Sequence, residues 1–457
     1  MKKIMIAAMR SGSGKTVFSC GLMMALKKLG LSVQACKCGP DYIDPMFHGK
    51  TLGIPSRNLD LFLQGREGLR RTLRNCVADV VVTEAAMGYY DGIAETERCS
   101  AWEIARETDM PALLVLRPGG ESITLAAQVR GMLDFRGESM IRGLVLTDCR
   151  EGLFRLLRGS LERETGLPVL GYLPPMEQAV LPERHLGLLT PDEIDGIRER
   201  FSSIADQISQ TVDLNAILAL AADMPDAGRR EPKSETSTCR IAVARDEAFC
   251  FLYEDSLDSL RSAGAELCFF SPLHDTALPG NTDGLYLPGG YPELHAEELA
   301  QNEAMRRAIR ETVRSGLPTV AECGGFLYLQ ESMENEQGRS HPMCGVLGGR
   351  GYRTERLQRF GYVNLIAEQD SLLFRQGETI PAHEFHYWDC TENGAALLAV
   401  KADGRNWRCG FADENLYAAF PHLHLGGELP LAERFVETCA ERRKRAETQK
   451  IEAGRKT

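Results

Sequence analysis

A glycine-rich segment near the start of the chain contains adjacent lysine and threonine residues: residues 11–16 read SGSGKT. Between a strand and a helix, the N–H groups around Gly12 and Gly14 would surround phosphate oxygens. Lys15 would reach the β- and γ-phosphates of ATP, and the Thr16 hydroxyl would bind Mg²⁺. Met9 stands where the strict motif has glycine. The segment predicts an ATP site, and its alternative reading is a turn that only caps a helix.

Acidic residues follow two further predicted strands of the same sheet. The segment 37–45 reads KCGPDYIDP, and Glu84 comes directly after a strand at 79–83. Mg²⁺ prefers hard oxygen ligands, and parallel strands end at one edge of a sheet. We therefore expect Asp41 and Glu84 to join Thr16 at a magnesium site. For each acid taken alone, a solvated loop carboxylate is the more common interpretation, and it is their shared position after strands that favours a metal site.

A second set of reactive residues lies far downstream. Residues 321–325 read AECGG, so Cys323 follows a predicted strand on a sharp turn, which is typical of a nucleophile elbow. His422, in FPHLH (420–424), is the candidate base. Gly324 and the loop glycines Gly289 and Gly290 are predicted to form an oxyanion hole. This set indicates thiol-dependent release of ammonia from glutamine, and the alternative for Cys323 is a small buried core residue.

Composition restricts the possible partners. The chain has 457 residues, 53 basic against 64 acidic side chains and a net charge of -11, which disfavours nucleic-acid binding. Its 14 cysteines include no C-x-x-C pair and indicate reduced thiols in the cytoplasm. Every apolar run is shorter than the roughly 20 residues of a membrane span. We expect a cytoplasmic protein that does not bind membranes. The sequence leaves open whether the protein forms a homo-oligomer.

Strand-like and helical segments alternate along the chain, which predicts an α/β fold with two doubly wound parallel sheets. The first domain is predicted at 1–225. A polar linker at 226–238 separates it from a second domain at 239–440. The basic segment 441–457 is predicted to be a disordered tail.

Nine motifs resemble those of the cobyrinic acid a,c-diamide synthases, in that family's order and over nearly the whole chain. They are KCGPDYIDPMFH (37–48), PSRNLDLFL (55–63), MGYYDG (87–92), LPERHLGL (181–188), IAVARDEAF (241–249), DGLYLPGGYPEL (283–294), AECGGFLYL (321–329), RFGYVNL (359–365) and HEFHY (383–387).

The resemblance implies two reactions on two domains. A P-loop NTPase-like domain similar to dethiobiotin synthetase would use ATP and Mg²⁺ to phosphorylate the a and c carboxylates of cobyrinate. A class I-like, flavodoxin-like glutamine amidotransferase domain of the Triad type would supply ammonia, which displaces the phosphate. Carried over to this chain, Cys323 is the nucleophile and His422 activates it. The substrate-carboxylate site comprises Asp41, Tyr42, Ile43, Asp44 and Asp91.

Some residues depart from the patterns of related enzymes. Glu84 is followed by Ala85 where family members commonly have glycine, and Ala8-Met9 stands where Gly-Thr is common. His424 occupies the position at which many amidotransferases carry the glutamate that orients the base. That position therefore provides no carboxylate, and a Cys-His-Glu triad is not assumed.

Three alternatives remain at this stage. The same amidation on cobalt-free hydrogenobyrinate or on nickel sirohydrochlorin would use the same machinery. A protein of another class, a P-loop regulatory ATPase with an inactive amidotransferase-like module, would lack glutaminase activity.

Overall fold

The computed structural model describes residues 1–180, 183–184, 187–188, 194, 196–224 and 237–454. The chain divides into two compact units, Met1–Arg229 and Arg230–Thr457. Most of the linker predicted at 226–238, namely 226–236, lies outside the described residues, as does part of the motif at 181–188. None of the helices in the described part of the chain is long and apolar enough to cross a membrane.

A parallel sheet forms the centre of the first unit. The strands of this unit are β1 Lys2–Ala8, β2 Val33–Cys38, β3 Ser56–Leu59, β4 Val80–Glu84, β5 Ala112–Leu116, β6 Ile141–Leu146, β7 Val169–Tyr172, β8 Glu183–Arg184, β9 Gly187–Leu188 and β10 Ala222–Asp223. Seven of them lie parallel in the order β3-β2-β4-β1-β5-β6-β7. β10 pairs antiparallel with β1, and β8 pairs with β9.

Helices cover both faces of this sheet. They are α1 Lys15–Lys28, α2 Ile43–Met46, α3 Leu61–Arg74, α4 Ala101–Glu107, α5 Ile123–Asp134, α6 Glu151–Thr165, α7 Ile197–Thr211 and α8 Leu214–Leu220, and α2 continues as a π-helical turn, Phe47–Thr51. Alternate residues of β1 enter opposite cores, because side chains alternate across a strand. Ile4 packs in the core that contains Phe201 of α7, and Met5 in the core that contains Leu157 of α6. The doubly wound arrangement predicted from the sequence is confirmed.

The second unit contains a parallel sheet and two further sheets. Its strands are β11 Cys239–Ala244, β12 Ala265–Phe270, β13 Gly284–Leu287, β14 Thr319–Glu322, β15 Ser332–Glu334, β16 Ser340–Pro342, β17 Arg350–Arg353, β18 Arg359–Ala367, β19 Thr379–His386, β20 Trp388–Cys390, β21 Leu397–Val400, β22 Asn406–Cys409, β23 Phe411–Ala412, β24 Leu416–Ala419 and β25 His422–Leu423. The main sheet has the order β12-β11-β13-β14-β24-β23, and only β23 runs antiparallel within it.

The two additional sheets were not predicted from the sequence. One has the order β22-β21-β18-β19-β25, and the other β16-β15-β17-β20. In the first, all pairings are antiparallel, and His383 of β19 lies opposite His422 of β25. This sheet therefore helps to place the candidate base.

The helices of the second unit are α9 Glu254–Ser262, α10 Ala296–Gln301, α11 Glu303–Arg314, α12 Gly324–Leu329 and α13 Leu431–Gly454. Residues 441–454 thus extend α13, where the sequence predicted a disordered tail. Ion pairs at i,i+4 spacing, Glu441–Arg445 and Arg443–Glu447, support this exposed part of the helix.

Candidate active sites

The loop between β1 and α1 has the geometry of a phosphate cradle. Gly12 and Gly14 have φ of 75° and 83°, values that favour glycine. The Lys15 ammonium donates to the carbonyls of Arg10, at 3.2 Å, and Met87, at 2.7 Å. Burial, reinforced by nearby Lys37, lowers the pKa of Lys15 to about 8. A buried ammonium held only by carbonyls gains from a phosphate anion beside it.

Two of the magnesium ligands predicted from the sequence, Thr16 and Glu84, meet at the carboxyl ends of β1 and β4. The Thr16 hydroxyl donates to Glu84 Oε1 at 2.6 Å, and Glu84 is fully buried. A hydroxyl and a carboxylate oxygen so close together suit Mg²⁺, which usually takes its other ligands from phosphates and water. Asp41 uses Oδ1 to accept the N–H groups of Ile43 and Asp44, at 2.8 and 3.1 Å, and caps α2.

Lys37 was given no role in the sequence analysis, yet it lies at the centre of these acids. It is buried in β2, pairs with Asp44, lies 3.2 Å from Glu84 Oε1 and is 3.9 Å from Asp41 Oδ2. Burial opposes its charge, but Asp44 and Glu84 hold the pKa of Lys37 well above its usual range. Burial also opposes the charge of Glu84, but Lys37, His48 and the Thr16 hydroxyl together outweigh burial and keep the pKa of that carboxyl below its usual range.

His48 is a second functional candidate that the sequence analysis missed. It is fully buried, with Nδ1 2.9 Å from Ser56 Oγ and Nε2 3.7 Å from Glu84 Oε2. The signal available in the sequence was its place at the end of the segment KCGPDYIDPMFH (37–48).

The predicted carboxylate-site residues occupy different environments. Tyr42 and Asp44 are buried, Ile43 is half-buried, and Asp91 is exposed. Asp91 Oδ2 accepts the Gly88 N–H at 2.9 Å, which fixes the loop whose Met87 carbonyl binds Lys15. Asp91 therefore stabilises a loop that contacts Lys15. Asp44 forms an ion pair with Lys37. Their roles toward a substrate carboxylate stay predictions.

Cys323 lies on the sharp turn expected from the sequence. It follows β14, precedes α12 and has φ of 47°, an unfavourable value for a residue with a side chain. Its N–H donates to Ala419 O at 2.8 Å, which ties the turn to β24. A Cβ on Gly325 would lie 2.1 Å from Leu287 O, so only glycine fits behind the nucleophile. The strained turn is thus maintained by close backbone packing.

The predicted base and glycine loop meet at this turn. The Cys323 thiol and the His422 imidazole are in hydrogen-bonding contact, and a Cβ on Gly289 would lie 2.4 Å from His422 Cε1. Gly289 O accepts the Phe251 N–H at 3.0 Å, so the Gly290 N–H in the same peptide plane points the opposite way. Gly290 N is 3.2 Å from where a Cβ of Gly324 would stand, beside the nucleophile.

The charge of His422 is set by two neighbours. Burial lowers the pKa of His422, but the adjacent Cys323 and then Glu322 outweigh burial and raise this pKa to about 10. The site therefore stabilises the imidazolium form of His422 beside Cys323. Across the sheet, burial and His422 lower the pKa of His383 to about 3, so His383 is neutral.

Comparison with known proteins assigns both units. Residues 4–188 match the CobQ/CobB/MinD/ParA nucleotide binding domain, and residues 240–429 match the CobB/CobQ-like glutamine amidotransferase domain. Proteins named cobyrinate a,c-diamide synthase are similar over nearly their whole length. That of Clostridium tetani is 36% identical over 96% of this chain and 100% of its own. Those of Caldanaerobacter subterraneus and Listeria monocytogenes are 38% and 40% identical over 95% and 93% of this chain, and 98% and 96% of their own.

The chain belongs to the cobyrinate a,c-diamide synthase family. The resemblance drawn from the sequence motifs is confirmed, as are the P-loop NTPase-like and amidotransferase folds of the two units.

Proposed function

We propose that the chain converts the a and c carboxylates of cobyrinate to amides in cobalamin biosynthesis, using ATP, Mg²⁺ and glutamine. It is a carbon–nitrogen ligase with glutamine as amide donor, as its family membership establishes. The observation that carries the chemistry is the Cys323 elbow with His422 in contact and the Gly289–Gly290 loop beside it.

In the first unit, the residues of the phosphate cradle position the phosphoryl donor. Lys15 exchanges its carbonyl partners for phosphate oxygens, and Lys37 adds positive charge beside Glu84. Thr16 and Glu84 would hold Mg²⁺, which when bound neutralises charge on the phosphates. Phosphorylation turns a substrate carboxylate, a poor electrophile, into an acyl phosphate with a good leaving group.

In the second unit, Cys323 gives its proton to His422, and its sulfur attacks the amide carbon of glutamine. The Gly290 and Gly324 N–H groups stabilise the oxyanion. His422 returns the proton to the departing nitrogen, the C–N bond breaks, and ammonia leaves a thioester. Water, deprotonated by His422, then hydrolyses the thioester and releases glutamate. The ammonia displaces phosphate from the activated carboxylate, and each turnover forms one amide.

The test is a Cys323→Ser variant assayed with cobyrinate, ATP and Mg²⁺, and with either glutamine or ammonium chloride. We expect amides, counted by mass spectrometry of the corrinoid, with ammonium but not with glutamine. A folded variant that ammonium fails to rescue, or that still uses glutamine, would contradict the two-site division.

The relatives do not favour the alternative substrates or the regulatory ATPase. The same assay with hydrogenobyrinate or nickel sirohydrochlorin as acceptor distinguishes the macrocycles. Glutamine hydrolysis that depends on Cys323 distinguishes the ligase from an ATPase with an inactive second unit.

A further inference from the structure

Among the described residues, the carboxylate paired with the candidate base belongs to Glu322, the residue directly before the nucleophile. Glu322 ends β14 and is 1% exposed. Its Oε2 lies 3.8 Å from His422 Nδ1. That separation is longer than a hydrogen bond but within ion-pair reach, and catalytic contacts are often long before substrate binds.

Two buried groups hold this carboxylate in place. Glu322 Oε1 accepts the N–H of Leu423, the residue after His422, at 3.0 Å. Glu322 Oε2 accepts the hydroxyl of Tyr286 on β13 at 3.2 Å. A buried carboxylate is unfavourable unless it is hydrogen-bonded and faces a positive charge. Here the hydrogen bonds anchor it both to the strand that bears the base and to the neighbouring strand of the main sheet.

The arrangement separates the two nitrogens of the imidazole. Nδ1 faces Glu322, which leaves Nε2 for the Cys323 thiol. Successive side chains of a strand point to opposite faces of the sheet. Cys323 lies on a turn with φ of 47°, and this turn changes the direction of its thiol. Two adjacent residues can therefore act on one histidine from its two sides.

We propose that Glu322 is the positioning carboxylate of His422. It holds the imidazole with Nδ1 protonated and stabilises the imidazolium that forms when Cys323 loses its proton. The acid of the triad is thus supplied by the residue before the nucleophile, in place of the residue two after the base, where His424 stands. This inference rests on the proposed glutaminase role of Cys323 and His422.

The other titratable groups that face His422 in the described residues do not replace Glu322. Cys323 is the reaction partner, and His383 across the strand pair is neutral. The ring of His424 packs against Tyr253, with centroids 5.0 Å apart. Glu322 is therefore the acid whose charge reaches the imidazole.

The decisive variant is Glu322→Gln, which keeps the shape and an acceptor for Leu423 but removes the charge. We expect kcat for glutamine hydrolysis to fall by about 100-fold, with little change in KM, because general acid–base catalysis loses its orienting group. Ammonium-dependent amidation by the same protein is expected to be unchanged. The alkaline limit of the glutaminase pH profile is expected to move to lower pH, since His422 loses a stabilising anion.

The control separates this inference from the function on which it rests. Cys323→Ala is expected to abolish glutamine hydrolysis, and if hydrolysis survives, the proposed function fails. If Cys323→Ala is inactive while Glu322→Gln keeps the kcat and pH profile of the unmodified enzyme, the positioning role of Glu322 is overturned.

A milder variant tests the same inference if Glu322→Gln misfolds. Tyr286→Phe deletes one hydrogen bond to Glu322 and leaves its charge. If Glu322→Gln does not fold, Tyr286→Phe is expected to lower kcat by a smaller factor and to alter the pH profile. Glu322→Asp, which restores the charge on a shorter side chain, is expected to recover part of the activity lost in Glu322→Gln. An unchanged profile in Tyr286→Phe would then overturn the inference.

Discussion

Thr16 and Glu84 meet although 68 residues separate them, with the Thr16 hydroxyl donating to Glu84 Oε1 at 2.6 Å. β1 and β4 are neighbours in the sheet, so the helix after one strand and the acid ending the other share an edge. The same carboxylate faces Lys37 and His48. Glu84 is thus the point at which the nucleotide loop and the buried charges of the first unit are joined.

Replacement of Glu84 by glutamine should affect only the synthetase reaction. We expect ATP-dependent amidation with ammonium to fall by at least about 100-fold, because the charge that would hold Mg²⁺ and balance Lys37 is lost. Glutamine hydrolysis should be unchanged. Glu95→Gln, at an exposed position of the same unit, is the control. Full amidation activity in Glu84→Gln would contradict the proposed magnesium site.

Nucleotide binding should be linked to proton uptake by Lys15. The pKa of Lys15 is lowered to about 8, so burial of its charged form costs free energy of folding. This penalty is complete below that pH and decreases as pH rises above it. Phosphates beside Lys15 raise its pKa again, so ATP binding near pH 8 takes up protons. Calorimetry in buffers of different ionisation enthalpy measures this uptake.

Two comparisons test the assignment of that proton to Lys15. The proton uptake should diminish at about two pH units below pH 8, where Lys15 is already charged in the protein without ATP. It should also be absent in Lys15→Arg, since arginine remains charged. Equal uptake in Lys15→Arg would assign the proton to another group.

Removal of the Lys37 charge should destabilise the first unit. Lys37→Met leaves Asp44 and Glu84 buried without their cation, and breaking such a buried pair typically costs about 3–5 kcal/mol. Lys28→Met, which removes a partly exposed pair with Asp206, should change stability by no more than about 1 kcal/mol. Hydrogen exchange of peptides from residues 1–180 measures both, and equal effects would refute the structural role of Lys37.

Alanine at position 325 should damage the elbow. Its Cβ would lie 2.1 Å from Leu287 O, and backbone atoms cannot move aside as a flexible side chain would. Overpacking of this kind typically costs about 1–3 kcal/mol, and displacement of Cys323 should abolish glutamine hydrolysis. Gly348→Ala, where no atom lies within 4 Å of the new Cβ, is the matched control. Normal glutaminase activity in Gly325→Ala would show that the turn tolerates a side chain.

The local units of both sites could be predicted from the sequence. The segment SGSGKT (11–16) and the turn at Cys323 are short strand–turn–helix patterns, whose geometry depends on a few adjacent residues. The strand predicted at 79–83 is observed as β4, Val80–Glu84, shifted by one residue. The polar residues from 441 onward show no apolar pattern and predicted a disordered tail, whereas residues 441–454 extend α13 with i,i+4 ion pairs.

Only the tertiary structure decided which distant residues meet. The sheet of β18, β19, β21, β22 and β25 has antiparallel pairings that no local pattern fixed, and it places His422 opposite His383. Lys37 has its partners because β2 lies next to β4. Glu322 reaches the strand of the base because its Oε1 binds the Leu423 N–H, 101 residues further along the chain. Spacing in sequence determines the reactive residue types and their turns, but strand order determines which charges face one another.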